Sequence, residues 1–197
     1  LTDDNAKEQA FRVLALLHNT VGDYSTAHFF ADGIIQKSTN LTSRCSAWQL
    51  KIEALFHIGG SDDFEAEVEK ALSSCREAGE KLFEVIIVIH WARQLFEESK
   101  SSNALKILLE YLDETNATKY PQAIAAFNAL IAKAYYKLSD FDRAEKYALR
   151  ALDVGITTEF SEPLTWAYEV LYLTNKQLAR YDSALSYHEK FLQFDKA

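Results

Sequence analysis

The chain has 197 residues, of which 48% are apolar, enough for one or two domains or for one elongated helical solenoid. Its formal net charge of −8 argues against nucleic acid as a partner, because nucleic-acid binders present a basic face. No run of about 18 apolar residues occurs, so no membrane span is expected, and the lack of methionine indicates a fragment or a processed chain.

Helical periodicity and turn residues divide the chain into five antiparallel helix pairs, which we call hairpins. A small residue that follows each turn recurs at Ala104, Ala144 and Ala184, which gives a period near 40 residues. Two prolines and six glycines favour long helices over many turns. We therefore predict one all-α domain over 1–197. Its hairpins are expected at about 4–37, 43–78, 81–114, 121–154 and 162–195.

Local signals support this division from the first hairpin to the last. The run at 22–24, Gly-Asp-Tyr, predicts a tight turn, and Pro121 suits the first turn of a helix. The run at 83–91, FEVIIVIHW, is β-branched enough for a strand, but its place within the repeats favours a helix because propensity is a weak prior.

The fourth hairpin has the clearest pattern. Apolar residues from Phe127 to Leu138 recur at helical spacing, and a second stripe begins at Phe141. Asp140 is expected to cap the second helix. Gly155 is expected to end it in the left-handed conformation.

This hairpin resembles a tetratricopeptide repeat (TPR). The resemblance rests on Ala132, Tyr135, Phe141, Ala144 and Ala151, while a serine at position 139 replaces the family's glycine. It implies a right-handed superhelical solenoid, in which the first helix of each hairpin lines a concave groove.

The resemblance also implies where a peptide or protein segment would bind. Aromatic rings beside cations suit a peptide, although a single exposed cation more often serves only to keep its helix soluble. The family's carboxylate clamp is not expected, because Arg12 and Leu16 stand where it needs Lys and Asn. The expected groove residues are Arg12, Asn19, Arg93, Phe96, Lys133, Tyr136, Lys137, Trp166, Glu169 and Lys176.

No catalytic motif occurs in the sequence. We find no phosphate-binding loop, metalloprotease motif, paired-cysteine motif or nucleophile elbow, and the five histidines fall at unrelated repeat positions. We therefore expect no enzyme activity, no metal and no cofactor.

The two cysteines leave two interpretations open. Cys45 precedes Gly60 by 15 residues and Cys75 follows it by 15, so antiparallel helices would bring the two level. They would form either a disulfide, which implies an oxidising compartment, or two buried thiols that pack as small apolar groups.

Residues 181–192 of the last hairpin resemble the closing repeat of the TPR regions that precede diguanylate cyclase or histidine kinase domains in bacterial sensor proteins. This resemblance implies a non-catalytic sensory or docking domain of a larger signalling protein, in the periplasm. The alternative is a stand-alone cytoplasmic peptide receptor or assembly scaffold. A homodimer is compatible with either.

Overall fold

The computed structural model describes residues 2–59, 63–155 and 161–194, and it contains helices and no strands within these ranges. The all-α prediction is confirmed, and residues 83–91 lie within a helix. The helices are α1 Thr2–Thr20, α2 Tyr24–Lys37, α3 Leu41–Ile58, α4 Phe64–Ala78, α5 Lys81–Glu97, α6 Ser101–Glu110, α7 Leu112–Ala117, α8 Pro121–Lys137, α9 Phe141–Gly155, α10 Ser161–Gln177 and α11 Tyr181–Phe194.

The second helix of the third hairpin is interrupted. Tyr111, with φ −95° and ψ 5°, separates α6 from α7, where the sequence predicts a continuous helix. The Tyr111 carbonyl accepts hydrogen bonds from both the N–H (2.9 Å) and the hydroxyl (2.7 Å) of the fully buried Thr115. A threonine hydroxyl that bonds back to the preceding turn competes with regular helix geometry.

Four turns within hairpins each contain one residue in the left-handed backbone conformation. Their left-handed residues are Gly22 (φ 81°), Ser99 (φ 60°), Ser139 (φ 61°) and Ala179 (φ 56°). At the fourth hairpin the Ser139 N–H donates to the Tyr136 carbonyl (3.0 Å) and the Asp140 N–H donates to the Tyr135 carbonyl (2.9 Å). This is the Schellman arrangement. Ser139 thus adopts the conformation for which the family uses glycine.

Asp140 caps α9 as predicted, because its carboxylate accepts from the Arg143 N–H at 3.2 Å. The predicted role of Gly155 is wrong. Gly155 is buried at the end of α9, outside the left-handed region, and a Cβ there would lie 2.8 Å from Leu164 Cδ2. A side chain at this position would require Leu164 on α10 to shift, so the close approach of α10, and not the backbone conformation, favours glycine here.

The chain divides into two compact units, Leu1–Gln94 and Leu95–Ala197, with the boundary inside α5. In the second unit α9 packs on α8 through small residues, as the sequence suggests. Ala134, Ala144, Ala148 and Ala151 are all at most 1% exposed. In the first unit, α2 and α4 each pack on α3.

Cys45 on α3 and Cys75 on α4 form a disulfide bond in the structure. Their Cα atoms are 4.7 Å apart and both side chains are fully buried. The bond joins the open end of the second hairpin. The oxidation state of these residues in the cell remains a prediction.

Among the described residues, none of the helices is both long enough and apolar enough to cross a lipid bilayer.

Candidate peptide-binding surfaces

The second unit brings two of the predicted groove residues together. The Lys133 ammonium, on α8, lies 5.4 Å from the centre of the Phe96 ring at the end of α5. Both side chains are half-buried, which strengthens the attraction between a cation and a ring face. One turn further along α8, the half-buried Tyr136 ring lies 5.9 Å from Phe141.

The remaining predicted residues of this unit lie on α8 and on α10, which packs against α8. Lys137 is exposed, and Trp166 and Glu169 are half-buried. The exposed Lys176 ammonium lies 5.6 Å from the Tyr172 ring centre and 3.4 Å from its hydroxyl. We call Phe96, Lys133, Tyr136, Lys137, Trp166, Glu169 and Lys176 the α8–α10 surface.

In the first unit, the two predicted residues of α1 differ in their surroundings. Arg12 is exposed, and its guanidinium donates to Gln9 Oε1 at 2.9 Å. Asn19 is 5% exposed, and its amide nitrogen donates to the Leu50 carbonyl at 3.0 Å. This bond ties α1 to α3, so Asn19 has a structural contact whether or not it also touches a ligand.

Arg93 belongs to a cluster that the sequence analysis missed. Its guanidinium carbon lies 4.5 Å from the centre of the Phe56 ring. The His90 ring lies 5.7 Å from Phe56 and 6.5 Å from His57, and His57 stacks on Tyr24 at 4.4 Å. We call Tyr24, Phe56, His57, His90 and Arg93 the His90 cluster.

Burial sets the protonation of this cluster. Desolvation, with a smaller contribution from the charges of Arg93 and His57, lowers the pKa of His90 to about 3. Desolvation and the charge of Arg93 also lower the pKa of the more exposed His57. His90 is therefore neutral near pH 7, and its Nδ1 is buried with no hydrogen-bond partner.

No spacing signal pointed to this cluster. Its members come from the start of α2, the end of α3 and the middle of α5, so they occupy different positions in their hairpins. Their proximity follows from how the three helices pack. His57 and His90 are also too few to hold a metal ion, and no group of three metal-binding side chains occurs in the described part of the chain.

Both surfaces combine aromatic rings with cations. A ring supplies apolar contact area, and a lysine or arginine beside it can bind a carboxylate. The arrangement suits recognition of a peptide or a protein segment.

No family model matches the sequence, and no curated protein matches it either. Solved structures do match. The chain superposes on a Rap protein complexed with competence and sporulation factor with a TM-score of 0.80 at 14% identity, covering 95% of this chain and 54% of that one. The chain thus spans about half the length of the Rap structure.

Two further matches cover more of the other chain. BtubC (BKLC) from P. vanneervenii gives a TM-score of 0.75 at 18% identity, over 95% of this chain and 79% of that one. The nearly identical TPR-like repeats of a kinesin light chain from Podosopora anserina give 0.69 at 12% identity, over 94% and 93%. At these identities the matches show the fold, and the chain has the fold of TPR-like helical repeats.

Proposed function

We propose that this protein is a non-catalytic interaction module that binds a peptide or protein segment on the α8–α10 surface. The observation that carries the proposal is the half-buried pair of Lys133 and Phe96, beside Tyr136 on the same helix. Half-buried aromatic rings offer contact area at low entropic cost, because a ring has few rotatable bonds. The Rap structure, solved in complex with competence and sporulation factor, supports the idea by likeness of fold.

The charges on this surface indicate the kind of peptide. Lys133, Lys137 and Lys176 lie on α8 and α10, whereas the predicted surface residues include one acid, Glu169. A segment that carries carboxylates beside aromatic or aliphatic side chains would match lysines beside rings.

A displayed random peptide library, panned against the full chain, tests this proposal. We expect enrichment of peptides that combine Asp or Glu with apolar residues. Lys133→Ala and Trp166→Ala should each weaken the best peptide by about tenfold or more, as interface anchors do. Lys146→Ala, an exposed lysine on α9, is the matched control and should leave the dissociation constant unchanged.

Panning that enriches no peptide, or a peptide whose affinity neither Lys133→Ala nor Trp166→Ala changes, would contradict binding on this surface. If Arg93→Ala and Tyr24→Ala alone weaken the peptide, the binding surface is the His90 cluster.

We further propose that the module is the sensory or docking part of a larger bacterial signalling protein, exposed to the periplasm. The buried Cys45–Cys75 disulfide supports an oxidising compartment, because disulfides are rare in the cytoplasm. The coding sequence on both sides of this chain tests the proposal. A cyclase or kinase domain downstream and a secretion signal upstream are expected. A stop codon directly downstream with no secretion signal upstream would leave a cytoplasmic peptide receptor or scaffold.

A further inference from the structure

Helix α1 has apolar side chains on two opposite faces. One face packs into the first unit, where Ala15 is fully buried and Phe11 contacts Phe30 edge to face at 5.2 Å. The opposite face is open to solvent. Its residues are Ala6 and Ala10, both exposed, with Val13 (59% exposed), Leu16 (56%) and Leu17 (53%), and Val21 (67%) follows directly after the helix end.

The spacing of this outer face is that of a helix-pairing seam. Ala6, Ala10, Val13 and Leu17 follow one another at steps of four, three and four residues. This is the repeat of 3.5 residues that keeps an apolar stripe facing a second helix. Leu16 and Val21 flank the seam, and no seam position is charged. Four large aliphatic side chains so exposed on one helix face are typical of an interaction surface.

The seam is complementary to itself when reversed. Its first half carries the two alanines and its second half carries Val13, Leu17 and the flanking Val21. In an antiparallel pair of identical helices, Ala6 lies level with Leu17 of the other copy, and Ala10 lies level with Val13. Each large side chain then meets a small one, which is how packed helices fill the space between them. A parallel pair would set large against large and leave a gap beside the alanines.

We propose that the α1 seam pairs antiparallel with the α1 seam of a second copy of this chain, forming a two-fold symmetric dimer. Symmetry of this kind uses the same patch on both partners, and the reversed seam meets that requirement.

The area places this dimer among weak interfaces. An aliphatic side chain of this size carries on the order of 100 Å² of apolar surface, so the four exposed fractions give roughly 240 Å² per copy. Homodimer interfaces are about 65% apolar, which implies a total of roughly 700 Å². Specific interfaces begin at about 1,000 Å², so we expect a dimer that forms and separates with concentration in roughly the micromolar range or above.

Sedimentation velocity on the full chain, from about 5 µM to about 500 µM, tests the proposal across that range. The wild-type chain should shift from monomer to dimer. Leu17→Glu and Val13→Lys should each remove the dimer while leaving the circular dichroism spectrum unchanged. Leu185→Glu is the matched control, because Leu185 is 60% exposed on α11. It should retain the dimer. A chain that stays monomeric throughout, or a dimer lost in Leu185→Glu and kept in Leu17→Glu, would overturn the proposal.

Cysteine cross-linking tests the orientation. An equimolar mixture of Ala6→Cys and Leu17→Cys should give a mixed disulfide dimer under mild oxidation, because the antiparallel seam sets these positions level. Ala6→Cys alone should give little cross-linked product. Efficient self-cross-linking of Ala6→Cys would indicate a parallel pair. A dimeric sample with no mixed product would show a different interface, and both results would overturn the antiparallel pairing.

Discussion

Lys51 lies at the centre of charged side chains from three helices of the first unit. Its ammonium is 2.9 Å from Asp32 Oδ1 on α2 and 2.6 Å from Glu67 Oε2 on α4, and its side chain is 12% exposed. Burial lowers the pKa of Lys51, but hydrogen bonds and charges from Glu67 and Asp32 outweigh burial and raise it above its ordinary value. Removing the Lys51 ammonium would leave the half-buried Asp32 and Glu67 without the cation that joins them, although Lys70 still lies 2.6 Å from Glu67.

His90 gives a prediction at the same scale. The unfolded imidazole takes up a proton near pH 6.5, whereas the buried one in the folded chain stays neutral until about pH 3. Because only the unfolded imidazole is protonated between about pH 6.5 and pH 3, protonation stabilises the unfolded state in this range. The unfolding free energy should therefore fall by about 1.4 kcal/mol for each pH unit below 6.5. Urea denaturation at pH 7.5 and pH 5.0 measures the loss.

His90→Phe keeps the ring in the cluster and removes the titrating group. The wild type should lose about 2 kcal/mol more than this variant between the two pH values. Equal losses in both proteins would show that His90 titrates alike in the folded and unfolded states. Glu67 also favours the folded state above its unfolded pKa, but this contribution cancels in the comparison because both proteins contain it.

At the scale of elements, four hairpin turns share a left-handed backbone position but differ in the residue that occupies it. The left-handed position is occupied by glycine in the first hairpin, by serine in the third and fourth, and by alanine in the fifth. A left-handed backbone costs an L-residue about 1–2 kcal/mol, and glycine avoids this cost. Glycine also loses more conformational entropy on folding, which offsets up to about 1 kcal/mol of the gain. The turns at Ser139 and Ala179 are therefore not at their most stable.

We expect Ser139→Gly and Ala179→Gly each to raise the unfolding free energy by up to about 1 kcal/mol, because glycine removes the strain of the left-handed backbone. Gly22→Ala should lower the unfolding free energy by about 1 kcal/mol, because alanine is strained in the left-handed conformation. Chemical denaturation of the three variants beside the wild type provides the measurement. Destabilisation by Ser139→Gly would mean that its side chain supports the turn by more than the backbone cost.

Helix ends and helix interruptions differ in how far local sequence predicts them. The cap at Asp140 and the start at Pro121 follow from residues within one turn of the helix end. Gly155 lies against Leu164 of the next helix, and the break at Tyr111 is accompanied by a hydrogen bond from the buried Thr115 hydroxyl. Helical periodicity contains no information on either contact, so the sequence analysis gave Gly155 the wrong role and predicted no break.

At the scale of the whole molecule, the disulfide closes a loop of 30 residues and should contribute strongly to stability. Cross-links stabilise chiefly by restricting the unfolded chain, and a loop of this length corresponds to roughly 2–4 kcal/mol. We expect reduction to lower the unfolding free energy by that amount.

Denaturant unfolding with and without reductant measures this contribution. The double variant Cys45→Ala with Cys75→Ala should unfold at the same denaturant concentration in both conditions, near that of the reduced wild type. If the wild type unfolds at the same denaturant concentration with and without reductant, and the unreduced protein contains two titratable thiols, then the cysteines are free.

The sequence by itself determined the all-α class, the division into hairpins, the cap at Asp140 and the tight turn at Gly22. Each of these depends on the 3.6-residue period or on residues within one turn of each other. Only the tertiary structure decided that Lys133 lies over Phe96, that Arg93 lies over Phe56, and that Asn19 and His90 are buried. It also brings Cys45 and Cys75 together as a disulfide, with Cα atoms 4.7 Å apart. These contacts join residues about 30 or more positions apart, and they depend on how helices pack, which local periodicity does not encode.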